Sequence, residues 1–377
     1  MTTQPVSLAD AALPGVLVDR LGRRHTDLRV SVTDRCNLRC TYCMPPAGVA
    51  FRPHGEMLTY EEIARFVLAA AELGVRRVRL TGGEPLVRRG VVDLVGMIAG
   101  IAGIDEVAMT TNAVLLPPLA EPLYEAGLRR LNVSLDTVDR QQYRDLTRRD
   151  ELPRALAGID AARRAGFHRI KLNALAIRGF SEPQVAPLAR FARREGLELR
   201  FIEYMPTAAN CAESSPAEPA AGSIACHVAD GPPPGTPPAA PADGGGHWSS
   251  AQVLTGDEVL RILAAEFGPL EPIGADRPGA PAAAYRYGDG GVVGIIRSVT
   301  APFCGACTRL RLTADGKLRN CLFDQAAWDV RSALRSGEGP ARLQEILRRS
   351  VDRKHPLRGS SHGNLIATDR PMHQIGG

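Results

Sequence analysis

Residues 28–43 read Leu28-Arg29-Val30-Ser31-Val32-Thr33-Asp34-Arg35-Cys36-Asn37-Leu38-Arg39-Cys40-Thr41-Tyr42-Cys43. Residues 28–32 read as a strand. The thiols of Cys36, Cys40 and Cys43 follow at its carboxyl end, the end at which parallel α/β barrels place their chemistry. Three thiolates at this spacing can hold three irons of a cubane 4Fe–4S cluster, which leaves one iron open to an outside ligand. A structural zinc ion would want a fourth protein ligand, and the nearest histidines, His25 and His54, are poorly spaced for it. The iron–sulfur reading is the better of the two.

Outward from this stretch the chain alternates. Residues 59–73 predict an amphipathic helix, with Ile63, Phe66, Val67 and Ala70 at the i, i+3, i+4, i+7 positions. Thr59 and Glu62 form a capping box at its start, and Gly74 stops it. Further strands are predicted over 75–81, 106–111, 129–135, 170–177 and 197–204. Helices are predicted near 91–102, 118–126, 153–165 and 182–194. This alternation implies an α/β fold with a parallel sheet. Six units are too few for the usual eight-stranded closure. The expected architecture is an incomplete (β/α)6 TIM-like barrel whose open side is covered by a C-terminal iron–sulfur domain.

Composition bounds the partners. The 377 residues carry 46 Lys and Arg against 41 Asp and Glu, a formal charge of +5. That is too small to argue for nucleic acid, and neither helix-turn-helix nor zinc-finger spacing is present. No apolar run reaches the ~18 residues of a membrane span, and no basic-then-apolar leader opens the chain. A cytoplasmic location is the expectation. Only Lys171, Lys317 and Lys354 are lysines. Codon bias toward arginine accounts for most of the other cations.

Residues 207–250 are rich in Ala, Pro, Gly and Ser and read as a disordered insertion. Its Cys211 and Cys226 read as free thiols. The insertion divides the chain into 1–206 and 251–377. A further helix starts at Thr255, capped with Glu258, and ends at Gly268. A compact segment over 285–325 follows, and a helix near 341–349. The compact segment holds a second set of thiols, Cys304, Cys307 and Cys321, in a Cys-x2-Cys-x13-Cys spacing. Clusters of this kind in a large chain mark metal sites rather than disulfides. From the residues alone, a structural or electron-relay cluster and a substrate-binding one are equal readings of it.

Cys-x3-Cys-x2-Cys with Tyr42 before the last cysteine, together with Thr81-Gly82-Gly83-Glu84-Pro85, resembles the radical S-adenosylmethionine (SAM) family. Residues 31–36, 201–206 and 307–319 and the terminal Gly376-Gly377 are similar to its GTP 3′,8-cyclase branch. The resemblance covers about residues 18–206 and 250–377. It implies two 4Fe–4S clusters on three cysteines each, with SAM on the first. It places Tyr42, Gly83, Ser134 and Met205 at SAM. It places Arg29, Arg79, Thr110, Lys171, Arg309, Leu310 and Arg311 at GTP, with Arg77 and Arg200 as further phosphate contacts. It brings the Gly376-Gly377 tail into the site. The implied reaction is the first step of molybdenum-cofactor synthesis. In it a 5′-deoxyadenosyl radical takes the ribose 3′ hydrogen and the ribose carbon closes onto guanine C8. The implied partners are a flavodoxin or ferredoxin as reductant and cyclic pyranopterin monophosphate synthase downstream. A homodimer is allowed.

Three positions have a plainer reading as well. Ser134, at a strand end, reads first as a helix cap. Gly82-Gly83 would serve close backbone approach to the methionyl group of SAM. The family usually has glycine where this chain has Ala113. If that turn needs a positive φ, alanine costs about 1 kcal/mol there.

Overall fold

The computed structural model describes residues 15–44, 49–208, 248–274, 279–355 and 368–376. Of the insertion read over 207–250, residues 209–247 with Cys211 and Cys226 lie outside the described residues, as does the final Gly377. Its described ends are packed, against the reading of disorder, with Thr207 and Trp248 buried and Trp248 Nε1 donating to the Tyr204 carbonyl (3.0 Å).

Six parallel strands appear in chain order: β1 (Asp27–Ser31), β2 (Arg77–Thr81), β3 (Glu106–Thr111), β4 (Arg130–Ser134), β5 (Ile170–Ala176) and β6 (Glu198–Glu203). Helices α1 (Tyr60–Glu72), α2 (Val91–Ala99), α3 (Ala120–Glu125), α5 (Leu152–Arg164) and α6 (Glu182–Arg194) fall where the apolar period puts them. The capping box at α1 forms in both directions. The Glu62 amide donates to Thr59 Oγ1 (3.2 Å), and the Thr59 amide donates to Glu62 Oε2 (2.7 Å). A matching box at Thr255 and Glu258 starts α7 (Gly256–Phe267), and a short α8 (Val330–Arg335) follows further along the chain.

One helix was not expected. Helix α4 (Arg140–Thr147) lies in the gap between 126 and 153. Its period is carried by few apolar residues, of which Tyr143 and Leu146 are buried. Its N-cap is Asp139, whose carboxylate accepts from the Gln142 amide (2.8 Å). Ser134 is therefore not a helix cap, against its plainer reading.

The C-terminal half does more than cover an opening. Its strands β9 (Val292–Ile296) and β10 (Arg309–Leu312) add in parallel to the two ends of the six, β9 beside β6 and β10 beside β1. Antiparallel strands extend each edge: β7 (Glu271–Gly274) and β8 (Ala283–Arg286) on one side, β11 (Lys317–Arg319) and β12 (Trp328–Asp329) on the other. The twelve strands form one sheet, with eight consecutive parallel strands at its centre. These strands are only two to five residues long, and β9 and β10 pair with partners far away in sequence, so this part gives little local signal.

The core lies outside the curved sheet. Leu28 and Val30, Val78 and Leu80, Val107 and Met109, Leu131 and Val133 point outward and pack on the helices. The alternate positions point inward and are mostly polar, among them Arg29, Arg79, Thr110 and Asn132, with the small Ala108 between Val107 and Met109. Parallel strands covered on both faces usually read as continuous apolar runs. The alternation here means that the inner face is lined by polar groups around a lumen.

Ala113 does sit in the left-handed region (φ 63°) and is fully buried. Gly158 of α5 packs on it so tightly that a β carbon at Gly158 would stand 2.1 Å from the Ala113 carbonyl oxygen. We expect Gly158→Ala to destabilise the fold by about 2–3 kcal/mol, as overpacking does. Ala113→Gly should change stability by less than about 0.5 kcal/mol. It relieves about 1–2 kcal/mol of strain but gives up a buried methyl, about 0.8 kcal/mol, and adds backbone entropy to the unfolded chain. Denaturant midpoints of the two variants check both statements.

Candidate active site

A cavity of about 380 Å³ runs through the lumen. Both cysteine sets line it, from opposite mouths. Cys36, Cys40 and Cys43 follow β1 and so lie at the carboxyl end of the parallel strands. Cys304 and Cys307 precede β10, and Cys321 follows the antiparallel β11, so this set lies at the amino end. The five-residue β1 separates the two mouths by about 16 Å of strand rise.

The first set is shaped by backbone contacts. Arg39 Nη1 donates to the carbonyls of Cys36 (2.6 Å) and Leu38 (2.8 Å). Arg148 Nη1 donates to those of Arg39 and Met44 (both 3.1 Å). The Gly83 amide donates to the Thr33 carbonyl and the Glu84 amide to the Arg35 carbonyl, both at 2.8 Å. A β carbon at Gly82 would stand 2.5 Å from the Thr33 oxygen, and one at Gly83 would stand 2.3 Å from the Arg35 oxygen. The two glycines allow close approach of this turn to the cysteine loop, and both also line the cavity. Glu84 takes three donors: the amides of Asn112 (2.7 Å) and Leu86 (3.1 Å) and the Thr111 hydroxyl (2.7 Å). It thereby fixes the turn after β3, whose Asn112 amide nitrogen reaches Asn37 Oδ1 (2.8 Å) and Cys36 Sγ (3.9 Å).

These thiols fit an iron cluster better than a single ion. Burial pushes Cys36 up to about 12 and Cys43 up to about 11, and it holds Cys40 well above its ordinary value. Glu84 beside Cys36, and the neighbouring thiols and Asp136 beside Cys40, push the same way. Thiolates here need a cationic group to neutralise them. Among the described residues no three His, Cys, Asp or Glu side chains are arranged to hold one metal ion. Sulfurs on one tetrahedral ion would lie about 3.8 Å apart, whereas a cubane takes each thiolate on a different iron.

Around this mouth stand the residues that the resemblance places at SAM. Tyr42, Gly83, Ser134 and Met205 all line the cavity. The Tyr42 hydroxyl donates to Asp136 Oδ2 (3.0 Å), whose Oδ1 accepts from the Leu175 amide (2.8 Å). Burial raises the Asp136 carboxyl to about 6. Asp136 was missed in the sequence because it reads as one acid among many at a strand end.

Between the mouths lies a layer of cations set by strand register. Arg311, Arg29, Arg79, Ala108 and Arg130 stand side by side on β10, β1, β2, β3 and β4. Ala108 leaves room between guanidinium groups. Burial lowers Arg29 to about 10 and lowers Arg79 and Arg311 as well, and each is pushed further by a neighbouring guanidinium. Among the described residues neither Arg29 nor Arg79 has a carboxylate within ion-pair distance. Arg130 pairs with Glu106 (3.0 Å). The next layer holds Thr110, Asn132 and Lys171, and Lys171 pairs with Glu198 (2.6 Å). Glu198 also takes Arg200 (2.5 Å). Cations crowded in this way, with two left unpaired, suit a polyanion.

Two expected residues stand elsewhere. Arg77 lines the cavity but is bound to Asp27 through two nitrogens (2.8 and 3.0 Å) and to Thr26. Leu310 does not line the cavity. Strand alternation turns its side chain into the hydrophobic core, between Arg309 and Arg311 on the lumen side.

At the second mouth burial would raise the Cys307 thiol, but Arg309 and Lys354 bring it down to about 6. Arg309 also lies over the Phe303 ring, 4.6 Å from its centre. The chain's tail enters the lumen from α10 (Met372–Ile375), where Met372 and His373 line the cavity. Arg311 donates to the carbonyls of Ile375 (3.4 Å) and Gly376. Gly376 takes φ 77°, and a β carbon there would stand 2.7 Å from Ser31 Oγ and Thr81 Cγ2.

The lumen chemistry points to one class of protein. The chain matches the Radical SAM superfamily over residues 30–192 and Molybdenum Cofactor Synthesis C over residues 239–358. It is 45% identical to the GTP 3′,8-cyclase of Rhodopirellula baltica, over 99% of this chain and 94% of that one. It is 41% identical to that of Pelotomaculum thermopropionicum, over 95% and 99%. With the Geobacter sulfurreducens enzyme the identity is 38%, over 96% and 99%. The chain therefore belongs to the radical SAM enzymes and, among them, to the GTP 3′,8-cyclase family. That family uses two 4Fe–4S clusters and SAM.

Proposed function

We propose that this chain converts GTP to (8S)-3′,8-cyclo-7,8-dihydroguanosine 5′-triphosphate inside the lumen, with Cys36, Cys40 and Cys43 holding one cluster and Cys304, Cys307 and Cys321 the other. The observation that carries this reading is the layer of cations, in which Arg29 and Arg79 have no carboxylate partner among the described residues, between two thiol sets that line one cavity. When bound, the clusters and SAM supply the electron and the 5′-deoxyadenosyl radical that removes the ribose 3′ hydrogen.

The chain's own residues place the reactants. Tyr42, Gly83, Ser134 and Met205 surround SAM at the first mouth. Arg29, Arg79 and Arg311 take the triphosphate, with Lys171 and Arg200 at its edge and Thr110 at the sugar. Arg309 and the second thiol set receive the guanine end. Arg77 serves chiefly to neutralise Asp27. The tail, through Gly376, fills the lumen beside Ser31 and Thr81 and keeps water from the radical. The reductant is a flavodoxin or ferredoxin, and the product passes to cyclic pyranopterin monophosphate synthase. The enzyme works in the cytoplasm and is allowed to be a homodimer.

The test is made without oxygen on reconstituted, reduced protein. 5′-Deoxyadenosine is measured with GTP, with ATP and with no nucleotide. We expect release at least roughly 10-fold faster with GTP, since a site built to pair with a base discards analogues that leave its polar groups unpaired. Release indifferent to the nucleotide would remove GTP as the substrate.

A further inference from the structure

Two buried cations hold the second cysteine set from behind. Lys354 follows α9 (Pro340–Asp352), and its side chain is buried. Its Nζ donates to the Arg309 carbonyl (2.6 Å) and to the Asn320 carbonyl (2.7 Å). Arg309 lies two residues after Cys307, and Asn320 directly precedes Cys321. One ammonium thus ties together the two strands that carry these cysteines. Asn320 is fixed further by donating to the Ser350 carbonyl of α9 (2.8 Å). Arg23 reaches the third cysteine, with Nη1 donating to the Cys304 carbonyl (2.5 Å). Asp19 holds Arg23 through Nε (2.6 Å) and also contacts His25 Nε2 (3.0 Å).

The choice of residue is informative. The chain has 46 − 3 = 43 arginines against three lysines. At position 354 a point charge with three rotatable donors meets two carbonyls in a closed space, which a planar guanidinium fits poorly. Among the described residues no carboxylate pairs with Lys354. A buried ammonium held only by carbonyl dipoles is costly unless an anion stands nearby. A cubane on three thiolates carries net negative charge, which grows on reduction, so cations near it favour the reduced form. The first set has mixed surroundings: Glu84 lies beside Cys36 and Asp136 beside Cys40, while the Arg39 guanidinium donates to the Cys36 carbonyl (2.6 Å).

We propose that Lys354 and Arg23 are positioning residues that clamp the second cysteine set and, by their charge, make its cluster more easily reduced than it would be without them. This rests on the reading of both sets as cluster ligands.

The test uses the full chain carrying Cys36→Ala, Cys40→Ala and Cys43→Ala, so that only the second cluster is read. Iron and sulfide per chain are measured after reconstitution, and the midpoint potential is measured by reductive titration followed by electron paramagnetic resonance. No iron in this parent would overturn the ligand reading itself. Against a loaded parent, Lys354→Met should lose at least threefold of its iron, while Lys354→Arg, which keeps the charge but fits the two carbonyls poorly, should recover only part of that loss and hold the midpoint near the parent's. Iron content and midpoint unchanged in Lys354→Met would overturn the proposal. If Lys354→Met does not fold, Lys354→Gln decides, because it keeps hydrogen-bond donors without the charge. A midpoint more negative than the parent's supports the proposal, and an unchanged midpoint overturns it.

Discussion

Gly83→Ala yields a chain that folds but leaves the first cysteine set empty. Iron per reconstituted chain falls to about half, since the second site still loads. 5′-Deoxyadenosine formation falls by at least about 100-fold, the scale expected when reacting groups are misplaced by an ångström. The reason is space rather than backbone strain, since Gly83 is absent from the positive-φ glycines. Its missing β carbon would stand 2.3 Å from the Arg35 oxygen, 2.6 Å from the Arg35 carbonyl carbon and 2.9 Å from the Asp34 oxygen. All three are backbone atoms that cannot swing aside as a side chain does. The strain falls on Arg35, and Cys36 is the next residue. The hydrogen bond from the Glu84 amide to the Arg35 carbonyl (2.8 Å) goes with it. The core beneath, including Val30, Leu80 and Phe66, is untouched, so the thermal transition should survive. Full iron loading in this variant would show that the cysteine loop is not seated by the glycine turn.

Arg79→Met weakens GTP binding by roughly 10- to 100-fold, the range for loss of a hydrogen bond to a charged group. Arg79 stands between Arg29 and the small Ala108 in the lumen layer, with no carboxylate partner. Its charge is destabilised by burial and by Arg29, and an incoming triphosphate relieves that repulsion. Removing it should also stabilise the nucleotide-free protein or leave it unchanged. Arg77→Met is the contrast. Arg77 neutralises Asp27, so its loss should lower the denaturant midpoint while moving GTP affinity less than Arg79→Met does. Equilibrium GTP binding at two salt concentrations separates the two variants. Equal losses of affinity would mean that the layer acts as a diffuse field rather than through particular arginines.

The parts of this molecule legible in its sequence are those encoded by neighbours. The thiol spacings, the capping boxes at Thr59 and Thr255, and the period-two spacing that puts Arg77 and Arg79 on one face of their strand all depend on residues close together in the chain. Local geometry fixes them before any tertiary contact exists. The positive φ at Ala113 meets the condition that the family's usual glycine suggested, not one that the neighbouring residues spell out.

Other features depend on which strand lies beside which, and at what register. Only the parallel pairing of β10 with β1 and the antiparallel return of β11 put the second thiols at the mouth opposite the first. Only register lines Arg311, Arg29, Arg79 and Arg130 into one layer and turns Leu310 into the core. Asp27 claims Arg77 through a contact 50 residues away in sequence. Lys354, unremarkable as one of three lysines, becomes a clamp because folding brings α9 behind β10 and β11. The sequence by itself determined which chemistry this chain can carry, since that rests on residue type and short spacing. The tertiary structure alone decided which cations remain free for a ligand, because pairing between distant segments leaves no local trace.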